Sequence, residues 1–412
     1  MALVARTREI ADPGPLVGLL PTDHPMTWLR NGEGIVCWGT ALTHQTSGPT
    51  RFTDASAWWQ EVCDEARVDD ELQLPGTGLI CMGSFAFADA PGASTVVVPR
   101  VVVGRRGDHT WLTLIGPETE TSPELMQRPE LMQHDEPPAP ASVAFADGSR
   151  SAADWEGAVW EAVIRINAGE LEKVVMARDL IATATNDIDV RWPIRRLAEA
   201  YDMCWTFHVD GMVGATPELL VRRERGLVTS RVLAGTIRRT GDDVRDVALA
   251  GQLARSSKDL EEHEYAVRSV AEALQPHCTS MNVPEVPFVL HLPNVMHLAT
   301  DVTGVVDPSG ANLLELAAAL HPSAAVGGTP TKTAVDLIDQ IEGMDRGRYA
   351  GPVGWFDANG DGEFGIALRS AHVSGNKARL FAGCGIVANS DPEAELAESQ
   401  AKLVPVRDAL SG

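Results

Sequence analysis

From residue 151 to the C-terminus, helical stripes and apolar runs joined by short turns follow one another in no regular order. A parallel doubly wound sheet needs strand and helix in strict alternation, because every parallel pair requires a long crossover. The chain therefore reads as α+β. Ser151 with Asp154 makes a capping box, and Trp155, Val159, Val163 and Ile166 form a helical stripe that stops at Gly169. Strands are expected at 172–184, 203–209, 211–223 and 227–232, then a helix at 257–274. Helices at 311–320 and 331–342 flank the glycine-rich turn Val326–Pro330. Strands at 351–357, 363–373 and 377–388 lead to a last helix at 392–404, which Pro405 is expected to end.

Upstream, Ile35–Trp38, Leu79–Phe87 and Ser94–Val103 read as strands, and Thr53–Ala66 as a helix with Trp58, Trp59 and Val62 on one side. Between the two regions the chain is rich in Pro, Glu and Ser and duplicates Pro-Glu-Leu-Met-Gln at 123–127 and 129–133. That repeat is too short for a solenoid, so a surface crossover or disordered linker is expected. The expected division is 1–116 as an α+β region completing the fold, 117–150 as the linker and 151–412 as the catalytic region, together one intertwined unit.

A net charge of −23 argues against nucleic acid or an anionic membrane as partner. Residues 1–20 lack a basic flank before an apolar run, and no run of eighteen apolar residues occurs, so a soluble cytoplasmic protein is expected. The 6 cysteines are scattered without a C-x-x-C pair, which speaks against a zinc site and a disulfide framework.

Two apparent motifs fail on inspection. Asp357-Ala-Asn359-Gly-Asp361-Gly362 opens like a calcium loop, but the twelfth position, where a bidentate Glu is needed, is Leu368. Gly327-Gly-Thr-Pro-Thr-Lys332 lacks the glycine that precedes the lysine of a phosphate loop. Two acidic helices carry more. Asp259 and Glu262 share one face of the first, apart from its core face of Leu260, Val267, Val270 and Leu274. Glu395, Glu398 and Lys402 share one face of the second. Each alone would usually be a solvated face. Facing each other, such carboxylates would repel unless a hard cation lay between them, and an oxygen donor set of this kind suits Mg²⁺ bridging to an anionic substrate. Lys173 and Glu218 each sit in an apolar frame; their ordinary readings are a lysine snorkelling from a strand end and a turn carboxylate after Pro217. Burial would lower the lysine and raise the glutamate, as a general base and a general acid require. His297, flanked by apolar residues, is by itself more often a core histidine.

In order along 151–405, nine segments resemble the chorismate-binding enzymes, the isochorismate, salicylate, anthranilate and aminodeoxychorismate synthases. They begin with Lys173-Val-Val-Met-Ala-Arg178, Gly214-Ala-Thr-Pro-Glu-Leu-Leu, Leu233-Ala-Gly-Thr236 and Ser257-Lys-Asp-Leu-Glu-Glu-His263. Val295-Met-His-Leu, His321-Pro-Ser-Ala-Ala-Val-Gly-Gly-Thr-Pro330 and Asp345-Arg-Gly-Arg-Tyr349 with its following Ala-Gly-Pro-Val-Gly come next. Leu368-Arg369-Ser and Gly383-Cys-Gly-Ile-Val-Ala-Asn-Ser-Asp-Pro-Glu393 complete the set. The resemblance implies largely antiparallel sheets packed centrally with helices outside, and a substrate, chorismate, bound by a monomer. It implies Lys173 as the base activating water, Glu218 as the acid protonating the departing hydroxyl, and His297 beside the ring. Glu262 and Glu398 would be the principal Mg²⁺ ligands, with Asp259 and Glu395 near the metal. Gly214, Thr236, Tyr349, Arg369, Lys402 and the backbone of Gly383 and Gly385 would hold the substrate. The loop Pro322–Pro330 resembles the water-using isochorismate synthases, with Ala324 in place of a common proline and Cys384 in place of a common alanine. Salicylate synthase, which adds pyruvate elimination, is the alternative. A non-catalytic chorismate binder would have shown replacement of Lys173 or Glu218, and a phosphotransferase would need a phosphate cradle.

Overall fold

The structure, a computed structural model, describes residues 3–122, 131–293, 295–307 and 309–411, and only the backbone of Lys258. The first copy of the Pro-Glu-Leu-Met-Gln repeat and the start of the second lie outside the described residues.

Two long strands, Glu33–Ser47 and Ala93–Arg106, pair antiparallel, and two arms of sheet extend from this pair. One arm leaves Glu33–Ser47 through Met26–Arg30, Trp205–Val209, Met212–Thr216, Ser370–Ser374, Lys377–Ile386 and Lys173–Thr183. The other leaves Ala93–Arg106 through Ile80–Ser84, Pro352–Asp357, Gly362–Ile366, Leu219–Glu224, Leu227–Arg238 and Val295–Val305. Among the described residues every pairing is antiparallel except that of Val4–Glu9 with Arg67–Asp70. One core runs between the arms, with Trp28, Met176 and Phe207 from the first and Met82, Val221, Phe356 and Phe364 from the second. Apolar side chains on alternate strand positions supply that core, and removing them from water is its main stabilising term.

Helices lie against these arms. Ala152–Asn167 is capped by Ser151, which accepts from the Asp154 N–H, and it buries Trp155, Val159, Val163 and Ile166, the expected stripe. The acidic helix Ser257–Leu274 packs on Leu227–Arg238 and Val295–Val305 of the second arm. The other acidic helix, Pro392–Ser411, packs on Lys377–Ile386 of the first.

Three expectations need correction. The last helix does not end at Pro405 but runs through it to Ser411. Proline removes one backbone donor there, yet Leu403, Val406, Ala409 and Leu410 are buried, and packing outweighs the lost bond. The strand expected at 211–223 is two strands, Met212–Thr216 and Leu219–Glu224, and the chain passes from the first arm to the second between them. The strand expected at 363–373 is likewise two, Gly362–Ile366 and Ser370–Ser374, and there the chain passes back. Apolar residues continue through both crossings, so periodicity alone does not mark them. The helices Arg191–Ala200 and Asp243–Leu253 were not anticipated. Asp357–Gly362 is a hairpin turn, in which Asp357 Oδ1 accepts from the N–H groups of Asn359 and Asp361.

Candidate active site

The two arms enclose a cavity of about 440 Å³, and both acidic helices overlook it. It is lined by Lys173, Glu218, Thr236, Asp259, Glu262, His297, Tyr349, Arg369, Gly383, Gly385, Glu395, Glu398 and Lys402. Gly214 is the one proposed site residue outside the lining. A Cβ at Gly214 would stand 2.7 Å from Phe207 and 2.8 Å from the Arg369 carbonyl oxygen, so its glycine lets strands pack closely beneath the site.

The crossings between arms place two of the lining residues. Glu218 lies where the chain leaves Met212–Thr216, and Arg369 where it returns to Ser370–Ser374. The crossings are tied to their neighbours: Ile366 N–H donates to the Glu218 carbonyl (3.1 Å) and Ala215 N–H to that of Arg369 (3.3 Å). Arg369 has a φ of 48°, a left-handed conformation that costs a non-glycine residue roughly 1 kcal/mol and persists because its surroundings dictate it.

Strand geometry places the others. Lys173 opens its strand opposite Thr329, and Gly383 and Gly385 lie on the neighbouring strand. A Cβ at Gly385 would come 2.8 Å from Lys173 Cε, so glycine leaves a lane for the lysine side chain. On the second arm the register shifts between Ala234 and Thr236, at Gly235, whose φ is 78°. This bulge turns Thr236 towards His297, and their Oγ1 and Nδ1 atoms are 2.9 Å apart.

The charges are arranged as two lysine–glutamate pairs. Lys173 Nζ donates to Glu262 Oε1 at 2.6 Å, and Lys402 Nζ lies 2.6 Å from Glu398 Oε1 while donating to the Gly383 carbonyl at 3.0 Å. Burial pushes the Glu218 carboxyl up to about 7, against the opposing pull of Arg369, Lys173 and Lys402. Burial, with Arg369 and Lys402, lowers His297 to about 3, so its imidazole is neutral, and among the described residues its buried Nε2 has no hydrogen-bond partner. Burial also raises the Tyr349 phenol. For Glu398 burial acts upward, but Lys402 and Arg369 hold it below the usual glutamate value.

Four carboxylates on two helices, Asp259 and Glu262 on one and Glu395 and Glu398 on the other, line the cavity and offer oxygen donors, which fits a hard divalent cation. A second cavity of about 350 Å³ lies between Trp28, Arg30, Trp205 and Glu363. Its glutamate already accepts from both indole N–H groups, and it groups no acid, base and cation site together.

Two supports escaped the sequence reading. Arg346 and Glu342 form a fully buried pair, with Arg346 Nη2 2.6 Å from Glu342 Oε2. Arg346 also donates to the carbonyls of Val326 and Val175, and Glu342 accepts from Ala177 N–H, so the pair ties the Pro322–Pro330 loop to the Lys173 strand. His263 bridges Thr300 and the Ala234 carbonyl, anchoring the helix that carries Glu262. The Asp345-Arg-Gly-Arg segment held a signal for Arg346, but pattern does not tell which of two arginines two apart pairs within the core and which reaches an exposed partner. Arg348 indeed pairs with exposed Asp210.

Comparison with known proteins agrees with this geometry. A family profile described as "Chorismate binding enzyme" matches residues 22–411. The chain is 34% identical to the salicylate biosynthesis isochorismate synthase of Pseudomonas aeruginosa, over 99% of this chain and 90% of that protein. It is 38% identical to the isochorismate synthase MenF of Bacillus subtilis, over 63% of this chain and 56% of that one. The solved structure of MenF, the menaquinone-specific isochorismate synthase of Escherichia coli, superposes with a TM-score of 0.80 at 25% identity, covering 99% of this chain and 95% of that one. With a profile spanning nearly its whole length and a cavity assembled from the motifs that first suggested it, the chain belongs to the chorismate-binding enzymes.

Proposed function

We propose that the chain is an isochorismate synthase that uses Mg²⁺, converting chorismate to isochorismate by addition of water at C2 with loss of the C4 hydroxyl. The observation that carries this reading is Glu218, a carboxyl that burial raises to about 7 and so keeps partly protonated at neutral pH, in the same cavity as Lys173. Lys173 takes a proton from the attacking water, and Glu218 gives its proton to the departing hydroxyl, which leaves as water. The two relatives named as isochorismate synthases support the reaction class. His297, neutral and with Nε2 open, offers a hydrogen bond beside the ring and no charge. Arg369, Lys402, Thr236 and Tyr349, with the backbone of Gly383 and Gly385, hold the substrate's carboxylates. Glu262 and Glu398 would hold Mg²⁺, with Asp259 and Glu395 nearby. When bound, the cation neutralises a substrate carboxylate and charge that shifts during the reaction. Residues 1–116 complete the fold around the catalytic region 151–412, and 117–150 link them.

No described helix is long and apolar enough to cross a membrane. The test is incubation with chorismate and Mg²⁺ followed by chromatography. Isochorismate as sole product supports the proposal, salicylate with pyruvate supports a salicylate synthase, and no turnover, even with added ammonia, rejects both.

A further inference from the structure

One side chain beside the carboxylates is not an oxygen donor. Cys384 lies on the strand between Gly383 and Gly385, which line the cavity, and points behind it towards the helix Pro392–Ser411. Its Sγ, a carboxylate oxygen of Glu395 and one of Glu398 all lie within 4.8 Å of one another, and this is the one such grouping of potential metal donors among the described residues. A triangle with that edge has its centre about 2.8 Å from each corner, so inward shifts of about half an ångström would reach zinc–oxygen and zinc–sulfur bond lengths. The thiol is fully buried, its Sγ 3.4 Å from the Glu395 carbonyl oxygen, and both carboxylates line the cavity.

We propose that Cys384 gives this enzyme's cation site a sulfur donor, so that thiophilic divalent cations bind in it by a bond to Cys384 together with Glu395 and Glu398. This rests on the reading of Glu398 and Glu395 as cation-holding residues. Mg²⁺, a hard ion, takes the oxygens and leaves the sulfur aside; Zn²⁺ and Cd²⁺ take both. In the binding step the metal–sulfur bond forms, the S–H bond breaks and the proton leaves to solvent, with no change of oxidation state. Lys402 gives up its contact with Glu398 and keeps its bond to the Gly383 carbonyl. The consequence is a site poisoned by soft metals, through a residue that a purely magnesium-binding site does not require.

The test is titration of the reduced protein with Cd²⁺ alone, read by the ultraviolet sulfur-to-cadmium charge-transfer band, beside Mg²⁺ binding measured calorimetrically. The wild type should show one equivalent of band intensity that Mg²⁺ diminishes by competition. Cys384→Ala should lose the band and bind Cd²⁺ about tenfold more weakly, with Mg²⁺ affinity little changed. Mg²⁺ binding without a cadmium band, or a band that survives in Cys384→Ala, overturns the proposal alone. Binding of neither metal overturns it together with the assignment of the carboxylates.

Discussion

A glutamate in water is ionised at neutral pH and cannot donate a proton; Glu218 can because burial lifts it from 4.5 to about 7. The folded protein therefore keeps a proton that the unfolded chain releases between those values. Stability falls as pH rises through this window, by about 3 kcal/mol, and the contribution is flat above pH 7. Glu218→Gln removes this dependence. Urea denaturation of both proteins from pH 4.5 to 7 should show the wild type losing that amount relative to the variant, and a constant difference would contradict the burial argument. The same variant should lose roughly a hundredfold or more in turnover, as should Lys173→Ala, since each removes one proton-transfer partner. A Lys173→Ala enzyme with full activity would remove the lysine from the mechanism.

At the scale of elements, the site depends on where strands stop. Glu218 and Arg369 reach the cavity because two apparently continuous apolar runs break and change arms. The acidic helices were legible from residue spacing, since carboxylates three apart share a face wherever the helix packs. The breaks were not, because what decides them is pairing with distant strands. Pro405 shows the same limit: its local rule lost to the buried side chains that follow it. The Pro322–Pro330 loop is held by the Glu342–Arg346 pair, and Glu342→Ala leaves Arg346 charged, buried and unpaired. Such a change should cost about 3–5 kcal/mol in urea denaturation. A loss below 1 kcal/mol would mean that the loop is held by other contacts.

For the molecule as a whole, the two sheet arms from one strand pair bring residues far apart in the chain to a single cavity. Lys173, Glu398 and Lys402 come from the first arm and its helix; Thr236, Glu262 and His297 come from the second. The α+β class followed from the irregular order of elements, and the residues singled out for the site line the cavity with one exception. Gly214 was the exception, because a motif glycine that serves strand packing looks the same in sequence as one that serves a ligand. The part played by residues 33–47 and 93–106 was hidden, because a strand's partners lie outside its own pattern. In the proposed function, this cavity adds water at one ring carbon while an acid expels hydroxyl from another. Running the reaction in water enriched in oxygen-18 and weighing the product by mass spectrometry tests it directly. One solvent oxygen in the C2 hydroxyl of isochorismate is the predicted result; unlabelled isochorismate, its hydroxyl carried over from chorismate, would contradict it.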